Sequence, residues 1–349
     1  MGLERHQGVH RIPLISGILR LFKQILLALR GRKQMRKALV VGIDHYPNSP
    51  LSGCVNDAKR MCELMSRNQD GSVNFGCRDL VSSPTIITRA VLKEAIDEVF
   101  SGKMDVAFFF FAGHGTVNNL GGYLVTQDAS RYDEGVSMAD VIALANKSQS
   151  RECIIVLDCC HSGALGQIPA LANNQVILRE GVSVLSACRD TESAMESGGG
   201  GIFTSLICDG LRGGAADVCG KVTAASLYAY VDETLGVWQQ RPLFKTHVSR
   251  LTSLRTCAPA VPPEILRLLP RYFPQADSEY QLDPSHEPDA QPSHPENEKT
   301  FGHLQKCRTA RLVEPVGEDH MYFAAMKNKT CRLTPLGRFY WHRANSGDL

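Results

Sequence analysis

CIIVLDCCHSG, residues 153–163, joins an apolar run to an abrupt polar end at Asp158, Cys159, Cys160 and His161. A short apolar run without alternation suits a strand buried on both faces of a parallel sheet. In open α/β sheets the chemistry gathers beyond the carboxyl ends of the strands. A thiol there, followed by Ser162 and Gly163, stands where a nucleophile would rather than where a core cysteine would. A second run of the same kind, VAFFFFAGHG at 106–115, ends in His114 between Gly113 and Gly115. If the two strands are neighbours, an imidazole and a thiol meet at one sheet edge.

Outward from these two runs, strands are expected at 37–44, 122–126, 182–185 and 243–248. Helices are expected at 53–68, 85–100, 136–145, 202–211 and 224–235, where apolar residues recur with the helical period. Strands alternating with helices predict a mainly parallel sheet covered on both faces, an α/β fold. From Pro259 the composition changes. Residues 274–298 hold five prolines and seven acidic residues with no Lys or Arg, which reads as a solvated linker over 259–299. Residues 300–349 regain periodicity, with a helix near 301–313, a hairpin in MYFAAMKNKTCRL and a helix over 335–343. They are expected to form a small α+β module.

The chain has 349 residues, 43% hydrophobic and 21% charged, a composition that fits a globular protein rather than a disordered one. Residues 1–37 carry nine Lys or Arg against the single Glu4. The remainder is net acidic, so positive charge is local to the first segment (1–36), and nucleic acid is not an expected partner. Within it, IPLISGILRLFKQILLAL at 12–29 is amphipathic. Its two central cations cost about 5–7 kcal/mol, against about 0.3–0.6 gained for each of some eleven apolar residues. A membrane span is therefore not expected; a helix packed on protein is favoured over one on an anionic membrane surface. The twelve cysteines form no C-x-x-C pair. That favours reduced thiols and a cytoplasmic location, and it argues against a structural zinc site.

A free thiol is only about a few per cent thiolate at pH 7. A histidine in reach can take its proton and later return it to a leaving amine. This makes His114 the base and acid, and Cys160 the nucleophile. Adjacent residues at a strand end face opposite ways, so only one of Cys159 and Cys160 can meet His114. A metal reading of Cys159, Cys160, His161 and His114 fails on spacing, because contiguous ligands seldom close a tetrahedral site. No metal and no cofactor are expected. Asp57 and Asp158 also have a plain reading, as carboxylates at a helix start and a strand end.

A strand ending in HG followed by one ending in D-x-C-H-S-G resembles the caspase-like cysteine peptidases, on the metacaspase side and of bacterial type. LVVGIDHYP at 39–47, LSGCVNDAKRM at 51–61, YLVTQDA at 123–129, VLSAC at 184–188 and GIFTSLICDGL at 201–211 extend the likeness over 37–258. QRPLFKTHVSRL at 240–251 is similar to the closing strand of bacterial members. The resemblance implies a three-layer α/β/α sandwich and endopeptidase activity on protein or peptide substrates. It selects Cys160 over Cys159, and it implies an oxyanion hole from the backbone N–H groups of Gly115 and Cys160. It assigns Asp57 and Asp158 to a substrate pocket for Arg, then Lys, rather than Asp. Ala112 stands where metacaspases commonly have a serine. The calcium site of many metacaspases is poorly matched: Asp128 is present, Asp133-Glu134 substitutes in part, and Gln167 replaces an aspartate, so calcium independence is expected. Arg179 is a candidate for self-cleavage. Residues 300–349 faintly resemble a truncated winged-helix unit and are expected to dock a regulatory protein. The alternative of another class is a catalytically silent scaffold with the same fold.

Overall fold

In a computed structural model, residues 35–159, 177–187, 201–235 and 242–349 are described. From Arg36 onward they belong to one compact unit. The segment 12–29 lies outside them, and no helix among the described residues is long and apolar enough to cross a membrane.

Two apolar runs make the centre of the sheet. Strands β1 (Arg36–Gly42), β2 (Gly76–Val81), β3 (Val106–Ala112), β7 (Glu152–Asp158), β8 (Val182–Ser186) and β10 (Leu243–His247) form six strands in the order β10-β8-β7-β3-β1-β2. All neighbours are parallel except β10, which runs antiparallel to β8. Every residue of β3 and of β7 is buried, as covering on both faces demands. The four consecutive phenylalanines divide by the two-residue period of a strand. Phe109 and Phe111 pack with helices α2 (Arg89–Phe100) and α3 (Met138–Lys147). Phe108 and Phe110 pack with α1 (Cys54–Ser66), α4 (Ile202–Asp209) and α5 (Ala224–Thr234). The result is the expected three-layer sandwich. Losing any one of these rings would cost about 3–5 kcal/mol.

The chain passes from β1 outward to β2, then returns past β1 to β3. That reversal opens a crevice at the carboxyl ends of β1 and β3, where ligand sites of open sheets form. The register sets the level of the strand ends: Gly42 pairs with Ala112, and Ala112 with Asp158. Beyond Ala112 the chain leaves the sheet for a three-stranded antiparallel unit, β4 (Gly115–Asn118), β5 (Gly121–Ser130) and β6 (Asp133–Ser137).

The observed elements depart from the expected ones in three places. β2 was not expected, because an edge strand with mostly exposed residues carries no apolar run. The stretch 259–299 is solvated only in part: residues 288–296 are largely exposed, whereas the residues before them are packed. Val261, Ile265, Leu266, Leu269, Phe273 and Leu282 are buried with Phe301, Leu304 and Trp341 in a third core. Trp341 Nε1–H donates to the carbonyl of Phe273 at 2.7 Å, tying the Pro-rich stretch to the last helix. Sparse apolar anchors on irregular backbone leave no periodic signal, and the acidic composition between them reads as solvent-exposed. The expected hairpin at 321–333 is a helix, Met321–Met326, followed by a strand, Thr330–Leu333. That strand pairs with Val313–Pro315 on one side and Glu279–Gln281 on the other. The flanking helices are Pro295–Thr309 and Pro335–Ser346.

Candidate active site

His114 follows β3 by two residues and is held from three directions. Its backbone N–H donates to Tyr46 Oη at 3.0 Å, and the Tyr46 hydroxyl donates to the carbonyl of Val125 at 3.2 Å. Val125 N–H in turn donates to the carbonyl of His114 at 3.0 Å. The Tyr46 and imidazole rings lie 4.5 Å apart, centre to centre. Burial pushes the Tyr46 hydroxyl up from its ordinary value, which keeps it a neutral donor. Gly113 is required by this arrangement, since a Cβ there would stand 2.5 Å from Tyr46 Oη.

The imidazole orientation follows from a carbonyl. His114 Nε2 lies 2.7 Å from the carbonyl oxygen of Ser49. A carbonyl can only accept, so Nε2 carries the proton of the neutral ring and Nδ1 keeps its lone pair. This is the orienting group that no side chain in the sequence supplied. A backbone carbonyl has no sequence signature; Tyr46, within the quoted LVVGIDHYP, was the available clue.

At the end of β7, Cys159 is 1% exposed and belongs to the core beside α2 and α3. It is a packing residue, as expected. Cys160 and His161 lie outside the described residues, as does Gln167. Gly115 is half-buried, at the start of β4, where it pairs with Leu124.

Asp57 and Asp158 are brought together. Asp57 lies in the first turn of α1, which is capped not by Gly53 but by Asp44. Its carboxylate accepts from the backbone N–H groups of Cys54 at 2.8 Å and Val55 at 3.2 Å. Gly42 permits this close approach, because a Cβ there would stand 2.3 Å from the carbonyl of Cys54. Both carboxylates are buried, Asp57 to 1% exposure and Asp158 to 6%. They meet the amino end of α4. Gly201 N–H donates to Asp57 Oδ2 at 2.9 Å. Thr204 donates to Asp158 Oδ2 through its hydroxyl at 2.6 Å and its N–H at 3.3 Å. A methyl on Gly201 would lie 2.5 Å from Asp158 Oδ2 and 3.4 Å from Asp57 Oδ2. The plain reading as capping carboxylates is thus met in part, but the helix they serve is another element's.

Arg60, one turn along α1, forms an ion pair with Asp57 Oδ1 and lies 3.3 Å from Ser205 Oγ. Burial holds the Asp57 carboxyl above its usual range, while the Gly201 N–H and Arg60 oppose the shift. The i, i+3 spacing of Asp57 and Arg60 was legible in the sequence; Gly201, 144 residues from Asp57, and Thr204, 46 residues from Asp158, were not.

Among the described residues, no group of three or more His, Cys, Asp or Glu side chains could hold a metal ion. Asp128 Oδ1 accepts from Arg89 N–H at 3.0 Å and Thr126 Oγ1 at 2.6 Å, and the Arg89 guanidinium pairs with Asp133. Arg179, the candidate for self-cleavage, is held at its guanidinium, which donates to the carbonyls of Ser150 at 2.7 Å, Ala145 at 3.2 Å and Glu180. Its backbone N–H donates to Asn146 Oδ1 at 2.9 Å.

The family model described as the caspase domain matches residues 35–252. The chain is 25% identical over 220 residues to Metacaspase-3 of Trypanosoma cruzi (strain CL Brener), covering 52% of this chain and 60% of that protein. It is 26% identical over 194 residues to Metacaspase-1B of Aspergillus oryzae (strain ATCC 42149 / RIB 40), covering 49% and 45%. The match thus spans about half the length of these relatives. The crystal structure of caspase-1 from Spodoptera frugiperda aligns with a TM-score of 0.46 at 10% identity, covering 64% of this chain and 91% of that one. With the family model spanning most of the chain, and with the sheet order and strand-end histidine described above, this chain belongs to the caspase-domain family.

Proposed function

We propose that the chain is a cysteine endopeptidase that cleaves after Arg, then Lys, using Cys160 and His114. The observation that carries the reading is the His114 imidazole, held by the Ser49 carbonyl so that Nδ1 keeps its lone pair, beyond a strand in register with β7. Nδ1 takes the Cys160 proton, and the thiolate attacks the substrate carbonyl carbon. The backbone N–H groups of Gly115 and Cys160 stabilise the oxyanion. His114 returns the proton to the leaving amine, the C–N bond breaks, and a thioester remains. Water, deprotonated by His114, hydrolyses it to the carboxylate and restores the thiol. Asp57 and Asp158 receive the substrate cation. A guanidinium binds paired carboxylates with charge-assisted bonds better than an ammonium does. Turnover without added calcium belongs to the same reading, since Arg89 and Thr126 already engage Asp133 and Asp128.

The test is hydrolysis of matched Arg, Lys and Asp reporter peptides by the full chain, with labelling by an Arg-ended electrophile. Cys160→Ala and His114→Ala are expected to abolish turnover, and Cys159→Ser to retain it. Preferential hydrolysis of the Asp reporter, or full activity in Cys160→Ala, would overturn the assignment. A chain that neither turns over the reporters nor takes the label would be the silent scaffold.

A further inference from the structure

Asp57 is the pocket carboxylate whose two oxygens have different kinds of partner. Oδ2 faces the fixed backbone N–H of Gly201 at 2.9 Å, a donor anchored at the start of α4. Oδ1 faces Arg60, a cation on a flexible stem from the same helix as Asp57. The Arg60 side chain is 29% exposed, whereas that of Asp57 is 2% exposed. The pocket therefore already holds a guanidinium, supplied by the chain itself and able to swing into solvent. Withdrawing the Gly201 N–H would require moving a helix; withdrawing Arg60 requires side-chain rotation and the loss of its bond to Ser205 Oγ at 3.3 Å.

We infer that Arg60 is an intramolecular competitor for the specificity pocket, displaced from Asp57 Oδ1 by the incoming substrate cation. The inference rests on Asp57 being a substrate-binding carboxylate. Two consequences follow from the chemistry. While Arg60 is in place, substrate binding must break one ion pair to make another, so affinity is lower than two buried carboxylates would otherwise supply. Arg60 also favours the ionised form of Asp57 against the opposing effect of burial, so its presence holds the pocket charged toward lower pH. Arg60 is thus a positioning residue: it acts on substrate through Asp57 and takes no part in bond breaking. An exchange of this kind scales the apparent affinity for every substrate cation by the same factor, set by the fraction of chains in which Arg60 has left Asp57. The preference for Arg over Lys is then set by the carboxylates themselves.

The experiment replaces Arg60 by Gln and by Lys in the full chain and measures KM and kcat for Arg and Lys reporters from pH 5.5 to 8.5. In parallel, calorimetry reads agmatine binding to the same variants in the Cys160→Ala background. At pH 8, Arg60→Gln is expected to lower KM for the Arg reporter and the agmatine Kd by about fivefold, the scale of a partly exposed ion pair. The Lys reporter gains by the same factor, so selectivity is unchanged. Binding by Arg60→Gln weakens on acidification at a higher pH than in the wild type, because Asp57 has lost the cation that favours its charge. Arg60→Lys keeps the wild-type values within about twofold. Unchanged or weaker agmatine binding in Arg60→Gln at pH 8 would overturn the inference, as would an unaltered pH dependence. Failure of the wild type to bind agmatine or cleave the Arg reporter would instead strike the pocket assignment, and the inference with it. The two failures are told apart by the wild-type measurements alone.

Discussion

Asp57 combines the proposed binding role with a cost to stability, and the two separate with pH. Its carboxyl is held above the ordinary value of 3.8, first by burial and in smaller part by Asp158. Between that ordinary value and the raised folded one, the native chain binds more protons than the unfolded chain. Stability therefore falls as pH rises across this window. Asp57→Asn removes the ionisation, so the variant should gain stability relative to the wild type as the pH is raised from 4 through this window. Urea midpoints measured at fixed m-value across that range check the sign. A difference that moves in the wild type's favour with rising pH would mean that the Arg60 and Gly201 bonds outweigh burial. Reporter turnover should fall in the same variant, since the cation loses one of its two carboxylates.

At the scale of elements, the candidate site is an agreement among three chain segments. β3 delivers His114 and β7 delivers Asp158. α1 delivers Asp57, and its entry point is set by Asp44 at the end of β1. A side chain that accepts two otherwise unpartnered N–H groups at a helix start contributes about 0.5–2 kcal/mol. Asp44→Ala is thus expected to lower stability by about that amount, measured by chemical denaturation. Because Asp57 lies in the turn that would fray, the same variant should raise KM for an Arg reporter. Asp44→Asn, which keeps one acceptor oxygen, should fall between the two. An Asp44→Ala enzyme with unaltered stability would show that packing of Ala58, Met61 and Met65 positions α1 unaided.

For the molecule as a whole, the third core changes what residues 259–349 are. Val218 and Cys219, from the segment between α4 and β9 (Lys221–Thr223), pack against it. The carboxyl-terminal module therefore shares contacts with the sheet domain, and the Pro-rich stretch is part of its structure. A solvated linker would be cut early by a glutamate-specific protease after Glu279. The packed arrangement predicts that this bond survives until the module unfolds. Phe273→Ala, at a cost of about 3–5 kcal/mol, should expose it to cleavage. Early cutting of the wild type at this site would restore the linker reading.

The amino-acid sequence by itself determined the covered sheet and the two strand ends at which the candidate site lies. Runs such as VAFFFFA and CIIVLD can be satisfied only by burial on both faces, and this forces helices onto each side. Strand-end motifs then name His114 and Asp158 with no knowledge of the fold's details. Strand alternation allowed only one of Cys159 and Cys160 to meet His114, and the family resemblance, not the alternation, made Cys159 the packing residue. What only the tertiary structure decided are contacts between groups that sequence neither labels nor places near each other. The proton on His114 Nε2 depends on a backbone carbonyl, Ser49, that any residue could present. The occupation of Asp57 and Asp158 depends on Gly201 and Thr204, which the folding of α4 back over the sheet brings to them. Residues 259–299 were misread for a related reason. Their apolar anchors are few and aperiodic, and their burial follows only from the partners that a third core supplies.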